Sequence, residues 1–300
     1  MDKAYHGQFL GLPPCPAERA DAVVLPVPLE ATVSYGTGTA GGPGAILEAS
    51  CQVELFDEET LVDFEQAPRV HTAPPIRADG ELTKTLSAIR ESVSSFSGRF
   101  VLVLGGEHTL TYGVVQGLID DPARLTIVHL DAHADLAEEL EGQFWSHGTV
   151  MRRLWEQGCR IVQAGVRSLS RAEHEFARSA ERLSTYYAHQ MDSRWEELME
   201  ELLGLQGPVF LSIDVDGLDP SVIPSTGTPQ PDGLSWRDTM DIIHTLCRSQ
   251  CDLLGADIVE FIPSPNPPGC DIVAARLAQK VLAWWFACCS GSQFRPGGAG

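Results

Sequence analysis

The 300-residue sequence predicts an α/β fold, a mainly parallel β-sheet covered by helices on both faces. Three observations carry this reading. Short runs rich in Val, Ile and Leu recur along the chain. These runs are apolar throughout and do not alternate, as strands buried on both faces must be. Helical stretches separate them. The strands are expected at residues 22–27, 100–104, 126–130, 160–166, 209–213 and 253–259, and helices at 81–95, 193–203, 236–247 and 271–288. No repeat and no long Pro, Gly or Ser linker divides the chain, so residues 1–289 are expected to form a single catalytic domain. Residues 290–300, dominated by Gly, Ser and Pro, are expected to be a flexible tail.

Composition narrows the function classes. With 43% hydrophobic and 21% charged residues the chain is ordinary globular protein, and no apolar run approaches the roughly 18 to 20 residues of a membrane span. The opening 22 residues lack the basic start, apolar stretch and cleavage site of a secretory signal, so a cytoplasmic location is expected. Eight scattered cysteines in a chain of this size predict reduced thiols, and Cys247, Cys251, Cys288 and Cys289 lack the CxxC spacing of a structural zinc site. A net charge of −20 opposes binding to a phosphate backbone, which excludes nucleic acid, and is compatible with a small cationic substrate.

Ligands of an open parallel sheet gather outside the carboxyl ends of its strands. Taken in order, four expected strands run into Gly105, Gly106, Glu107 and His108; into Asp131, His133 and Asp135; into Asp214 and Asp216; and into Glu260. Alternate residues of an extended segment share a face, so Asp131, His133 and Asp135 can enter one crevice together, as can Asp214 and Asp216. The two glycines before His108 let the backbone turn sharply. Isolated Asp-x-Asp pairs are usually turns or caps. Four carboxylates packed together are another matter, because like charges repel unless cations neutralise them, and two divalent ions balance four carboxylates. Carboxylates and imidazoles without thiolate suit Mn²⁺, while zinc, cobalt and iron stay open. Paired ions about 3.5 to 4 Å apart supply hydroxide at neutral pH, which predicts hydrolysis.

GGEHT at residues 105–109, DAHAD at 131–135 and SIDVDGLDP at 212–220 resemble the three signature motifs of the ureohydrolases, the arginase and agmatinase family. The likeness runs from VPLEATVSYGTGTAGGPGAILEAS at 27–50 to ADIVEFIPS at 256–264. It implies a three-layer α/β/α sandwich around about eight strands and two Mn²⁺ ions per subunit. His108 and Asp135 would bind one ion, His133 and Asp216 the other, and Asp131 and Asp214 both. A hydroxide held between the ions would attack a guanidinium carbon, releasing urea and an amine. By the same likeness His147 matches a proton-shuttling position, Glu260 the acid that orients the guanidinium, and Thr228 a residue of the substrate pocket. Without it, His147 is equally a histidine at a helix start, Glu260 a strand-end carboxylate bonded to a loop, and Thr228 unremarkable. His129 lies deeper in its strand and is read as a satisfied core histidine.

Arginases hold an amino-acid end with an Asn and a Ser after DAHxD and with a later Asp. Here the segment is Leu136-Ala137-Glu138-Glu139-Leu140-Glu141, and Ser170 stands at the later position. An acidic loop fits a substrate with ammonium and no carboxylate, so the expected reaction is agmatine to putrescine and urea, with Glu173 as a further contact to an amine. Guanidinobutyrase, guanidinopropionase, formiminoglutamase and arginase activities are alternatives that share all six ligands. A single-metal amide hydrolase of deacetylase type and a non-catalytic binding protein on the same fold are the other classes. Glu138, Glu139 and Glu141 either meet the ammonium or form a solvated face. Asp232 departs from the family's usual Gly, a change that matters if the position needs a positive φ. Expected partners are a small guanidino cation and further copies of the chain in a trimer or hexamer, with no nucleic acid and no membrane.

Overall fold

A computed structural model of the chain describes residues 7–263 and 269–289; the tail expected at 290–300 lies outside them. The strands are β1 (Ala22–Val27), β2 (Val70–Thr72), β3 (Phe100–Gly105), β4 (Thr126–Leu130), β5 (Arg160–Val166), β6 (Leu183–Tyr187), β7 (Gln206–Asp214) and β8 (Gln250–Val259). They form one eight-stranded sheet in the order β2-β1-β3-β8-β7-β4-β5-β6, with every neighbouring pair parallel. The helices are α1 (Gly42–Ser50), α2 (Leu82–Ser95), α3 (Leu110–Leu118), α4 (Val150–Glu156), α5 (Arg171–Ser179), α6 (Met191–Leu203), α7 (Trp236–Arg248) and α8 (Gly269–Cys289).

Alternate strand residues feed two cores, which is why the strand runs are apolar throughout. Val24, Leu102, Leu104, Val128, Leu130, Leu211 and Ile213 pack on one face against α1, α6, α7 and α8. Val23, Leu25, Val101, Val103, Ile127 and Phe210 pack on the other against α2, α3 and α4. The result is the expected three-layer sandwich.

All six expected strands and four expected helices are present. Two strands were not read from the sequence, and both lie at sheet edges: β2 has three residues, and β6, LSTYY, is only partly buried. Neither presents the apolar run that marks the interior strands. By length and composition α8 could span a bilayer, although Asp271, Arg276 and Lys280 interrupt it and leave no uncharged run of that length. Half of its apolar window is buried, and it packs on α1 and α7. Lys280 within it meets Asp57 at 2.7 Å and Glu59 at 2.9 Å, so this helix belongs to the core.

After β3 the chain crosses to β4 and continues outward through β5 and β6, then returns to fill the gap with β7 and β8. The carboxyl ends of β3, β8, β7 and β4 therefore stand side by side at the middle of the sheet. These are the four ends that carry His108, Glu260, Asp214 and Asp131.

Candidate metal centre

Close backbone approaches build the site. A Cβ on Gly106 would lie 2.0 Å from the Leu29 carbonyl oxygen, and one on Gly217 would lie 2.6 Å from the Asp131 nitrogen. Neither glycine has a positive φ, so Gly106 serves contact with the loop after β1 and not the sharp turn expected before His108. Strand alternation also proves too simple an account of convergence. Asp216 sits in a 3₁₀ turn, Val215–Gly217, and Asp135 has φ +54°. Bends beyond the strand ends, not pleating, turn these side chains inward. Glu260 is likewise left-handed at φ +63°, and such backbone strain gathers at functional sites.

Two groups result. His108 Nδ1 lies 3.3 Å from Asp131 Oδ2, 3.2 Å from Asp135 Oδ2 and 3.4 Å from Asp214 Oδ2. His133 Nδ1 lies 3.0 Å from Asp216 Oδ2 and 3.5 Å from Asp131 Oδ1. Donor atoms of His108, His129, Asp131 and Asp135 lie close enough together to hold a metal ion, as do those of Asp131, His133 and Asp216, and Asp131 turns one oxygen to each side. The four carboxylates and His108 are buried.

The electrostatics of the cluster favour cations. Burial pushes Asp214 well above the usual carboxylate range, helped by the charges of Asp216 and Asp131; burial and Asp131 raise Asp216. Burial works against charge on Asp131 too, but His129, His108 and His133 hold it well below its usual value. The imidazoles rise in turn. Burial disfavours their charged forms, yet the surrounding carboxylates outweigh it, taking His108 well up and His133 to about 12. Protons thus neutralise a cluster that cations would otherwise balance. Among the described residues the buried His108 Nδ1 has no hydrogen-bond partner, and it faces three carboxylate oxygens, an arrangement suited to a metal ligand. Its other nitrogen, Nε2, meets Ser212 Oγ at 2.8 Å; that hydroxyl donates to Asp257, which also accepts from Thr111.

His108, His133, Asp135, Asp214, Asp216, His147, Thr228 and Glu260 all border one cavity of about 30 Å³, room for ions and a water or two. Glu260 accepts the His108 backbone N–H at 2.7 Å, and burial pushes its carboxyl up to about 8. Thr228 Oγ1 donates to Asp216 Oδ2 at 3.3 Å. His147 lies between two hydroxyls, with Thr32 Oγ1 3.3 Å from Nδ1 and Ser34 Oγ 3.2 Å from Nε2. An adjoining cavity of about 300 Å³ shares Ser34, His133, Asp135, His147 and Thr228 and extends past Ser170 to Glu173. That size is at the lower end of small-molecule sites. Both Glu173 oxygens already accept backbone N–H groups, from Ser170 and Leu136, so its first task is structural. Glu138, Glu139 and Glu141 are exposed and border neither cavity, which favours the solvated-face reading.

Several residues escaped the sequence reading. Glu107 is fully buried and accepts from Ala31 N at 2.5 Å, Thr32 N at 2.6 Å, Thr32 Oγ1 at 2.9 Å and Thr109 Oγ1 at 2.7 Å. Thr32 in turn accepts the His147 backbone N–H at 3.2 Å. Arg167 donates to six carbonyls, those of Gly165, Asp216, Gly217, Leu218, Gln230 and Pro231. His129 is the satisfied core histidine expected, buried and bonded to Asp131 and Gln163; Gln163, Ser212 and Asp257 were not singled out, and as buried polar residues inside apolar strands they carried that interruption as their signal.

The profile of the arginase family matches residues 20–284. The chain belongs to the arginase family. It is 36% identical over 255 residues to the N(1)-aminopropylagmatine ureohydrolase of Thermus thermophilus, covering 83% of this chain and 85% of that protein. It is 32% identical over 272 residues to the agmatinase of Bacillus subtilis, covering 88% of this chain and 91% of that one. Among solved structures it superposes on the agmatine ureohydrolase of Thermoplasma volcanium with a TM-score of 0.82 and 28% identity, over 92% of this chain and 93% of that chain. Membership makes this chain a ureohydrolase-type enzyme, a hydrolase of amidines, with a His and Asp cluster able to hold metal.

Proposed function

We propose that the chain hydrolyses agmatine to putrescine and urea with two Mn²⁺ ions per subunit, His108, Asp131, Asp135 and Asp214 holding one and His133, Asp131, Asp214 and Asp216 the other. The observation that carries this is a single small cavity on which both histidine groups, His147, Thr228 and Glu260 converge. Two such ions, when bound, supply hydroxide at neutral pH and neutralise the carboxylates.

The remaining chemistry belongs to side chains. A guanidinium is planar and cationic, so the Glu260 carboxylate, fixed by the His108 N–H, orients it through charge-assisted hydrogen bonds. Its positive field also returns Glu260 to the ionised form. Thr228 lines the approach beside Asp216. His147, held between Thr32 and Ser34, gives its proton to the leaving amine, a task suited to imidazole near neutral pH. The larger cavity takes the aliphatic arm and its distal ammonium.

The extension of that cavity to Ser170 and Glu173 and the likeness to aminopropylagmatine ureohydrolases favour one second reading, N(1)-aminopropylagmatine as substrate. Urea release from Mn²⁺-loaded protein, measured with agmatine, N(1)-aminopropylagmatine, arginine, guanidinobutyrate and formiminoglutamate, separates the readings. The highest kcat/KM is expected for agmatine. A higher value for its aminopropyl derivative would establish the second reading, and no turnover of any guanidino compound would overturn both. We further infer a homo-oligomer, which a monomer mass by light scattering would refute. A cytoplasmic setting in polyamine synthesis is in keeping with eight free thiols.

A further inference from the structure

Asp131 is the carboxylate shared between the two histidine groups, and its two oxygens are treated differently. Oδ1 accepts the His133 backbone N–H at 2.5 Å. Oδ2, on the His108 side, lies 2.8 Å from His129 Nε2. Behind His129 stands Gln163, whose Nε2 lies 2.7 Å from the Ala134 carbonyl oxygen and 3.0 Å from His129 Nδ1. Thr185 Oγ1 lies 3.1 Å from Gln163 Oε1. The Ala134 carbonyl can only accept, so it faces the amide nitrogen of Gln163, and the amide oxygen is left for the Thr185 hydroxyl. His129 Nδ1 therefore accepts a hydrogen bond, and the imidazole proton sits on Nε2, pointing at Asp131.

His129 lies near enough to His108, Asp131 and Asp135 to be grouped with them as a metal ligand. The hydrogen bonding argues otherwise: Nδ1 is sealed by Gln163, and Nε2 has spent its proton on Asp131. Sheet register builds this line of contacts. His129 of β4 pairs with Gln163 of β5, which pairs with Thr185 of β6, so three cross-strand neighbours form one brace.

We propose that His129, held in its Nε2–H form by Gln163 and Thr185, is a positioning residue that aims Asp131 Oδ2 into the His108 half of the site, making metal occupancy of that half depend on the brace. The proposal rests on the metal reading given above. Hydrogen-bond partners behind a metal ligand typically change affinity about 10- to 100-fold when removed.

The test is Mn²⁺ titration of the chelator-stripped full chain, with free Mn²⁺ followed by electron paramagnetic resonance. Wild type is expected to take up two equivalents. His129→Phe keeps the ring and loses the donor; one equivalent should bind as in wild type and the other about 10- to 100-fold more weakly. His129→Gln, which returns an N–H to the Nε2 position, should recover most of the loss, whereas a role in packing alone would favour Phe over Gln. In a His133→Ala background the Phe substitution should still weaken the remaining ion; in a His108→Ala background it should not. Thr185→Val, three links from Asp131, should show a smaller shift in the same equivalent, and it decides the matter if the Phe variant does not fold. Two unchanged equivalents in His129→Phe, or in Thr185→Val where only that variant folds, would overturn the brace. A wild-type chain that takes up no Mn²⁺ would instead overturn the metal reading.

Discussion

Replacing Glu107 should uncouple the loop after β1 from the site. Its carboxylate is fully buried and receives two backbone N–H groups and two hydroxyls. Hydrogen bonds to a charged group contribute about 1.5 to 3 kcal/mol each when buried. Ala31 is exposed and Thr32 partly so, and water can replace part of what is lost when the carboxylate is removed. Glu107→Ala is therefore expected to cost about 2 to 4 kcal/mol, well below the sum of four such bonds. Glu107→Gln should cost about 1 to 2 kcal/mol, since its amide group can face the two hydroxyls and leave an oxygen for the N–H pair. Because Thr32 also holds the His147 backbone and ring, kcat should fall more than KM changes in both variants, and more in the alanine variant than in the glutamine one. Urea denaturation of the metal-loaded protein gives the stability, and urea release gives the kinetics. Glu107→Ala with unchanged stability and unchanged kcat would refute the reasoning.

The site should release protons when it binds metal. The carboxylates raise His108 well above the usual imidazole range and His133 to about 12, and both rings must be neutral to ligate, so metal binding works against their protonation. Calorimetry at pH 7.5 in buffers of different ionisation heat should report a net release of protons on loading, and affinity should weaken as pH falls; a buffer-independent heat would contradict this. Arg167→Lys exchanges a fork that spans six carbonyls for a point charge, so stability should drop by about 2 to 4 kcal/mol and Mn²⁺ should be lost faster on dialysis, both checked on one preparation. Asp232 has φ +67°, the conformation for which glycine is favoured, so Asp232→Gly should stabilise the chain by about 0.5 kcal/mol in urea titration, a loss counting against strain at this turn.

Residue order alone determined the layered α/β plan, because strands buried on both faces must be apolar throughout, and it named the residues that meet at the cluster, because four carboxylates ending interior strands need compensating charge. The edge strands β2 and β6 were not legible, since one-sided burial leaves no continuous apolar run. Convergence was read rightly for the wrong local reason: the bends at Asp135 and Asp216, not strand alternation, aim those carboxylates. Only the folded chain decided what stands behind the cluster. Glu107 reaches Thr32 across 75 residues, Ser212 reaches Asp257 across 45, and His129 reaches Gln163 across 34, contacts set by sheet order and register. A strand's apolar pattern shows that it is interior but not which strand lies beside it, so the partners of a polar residue within it are settled only when the sheet is assembled.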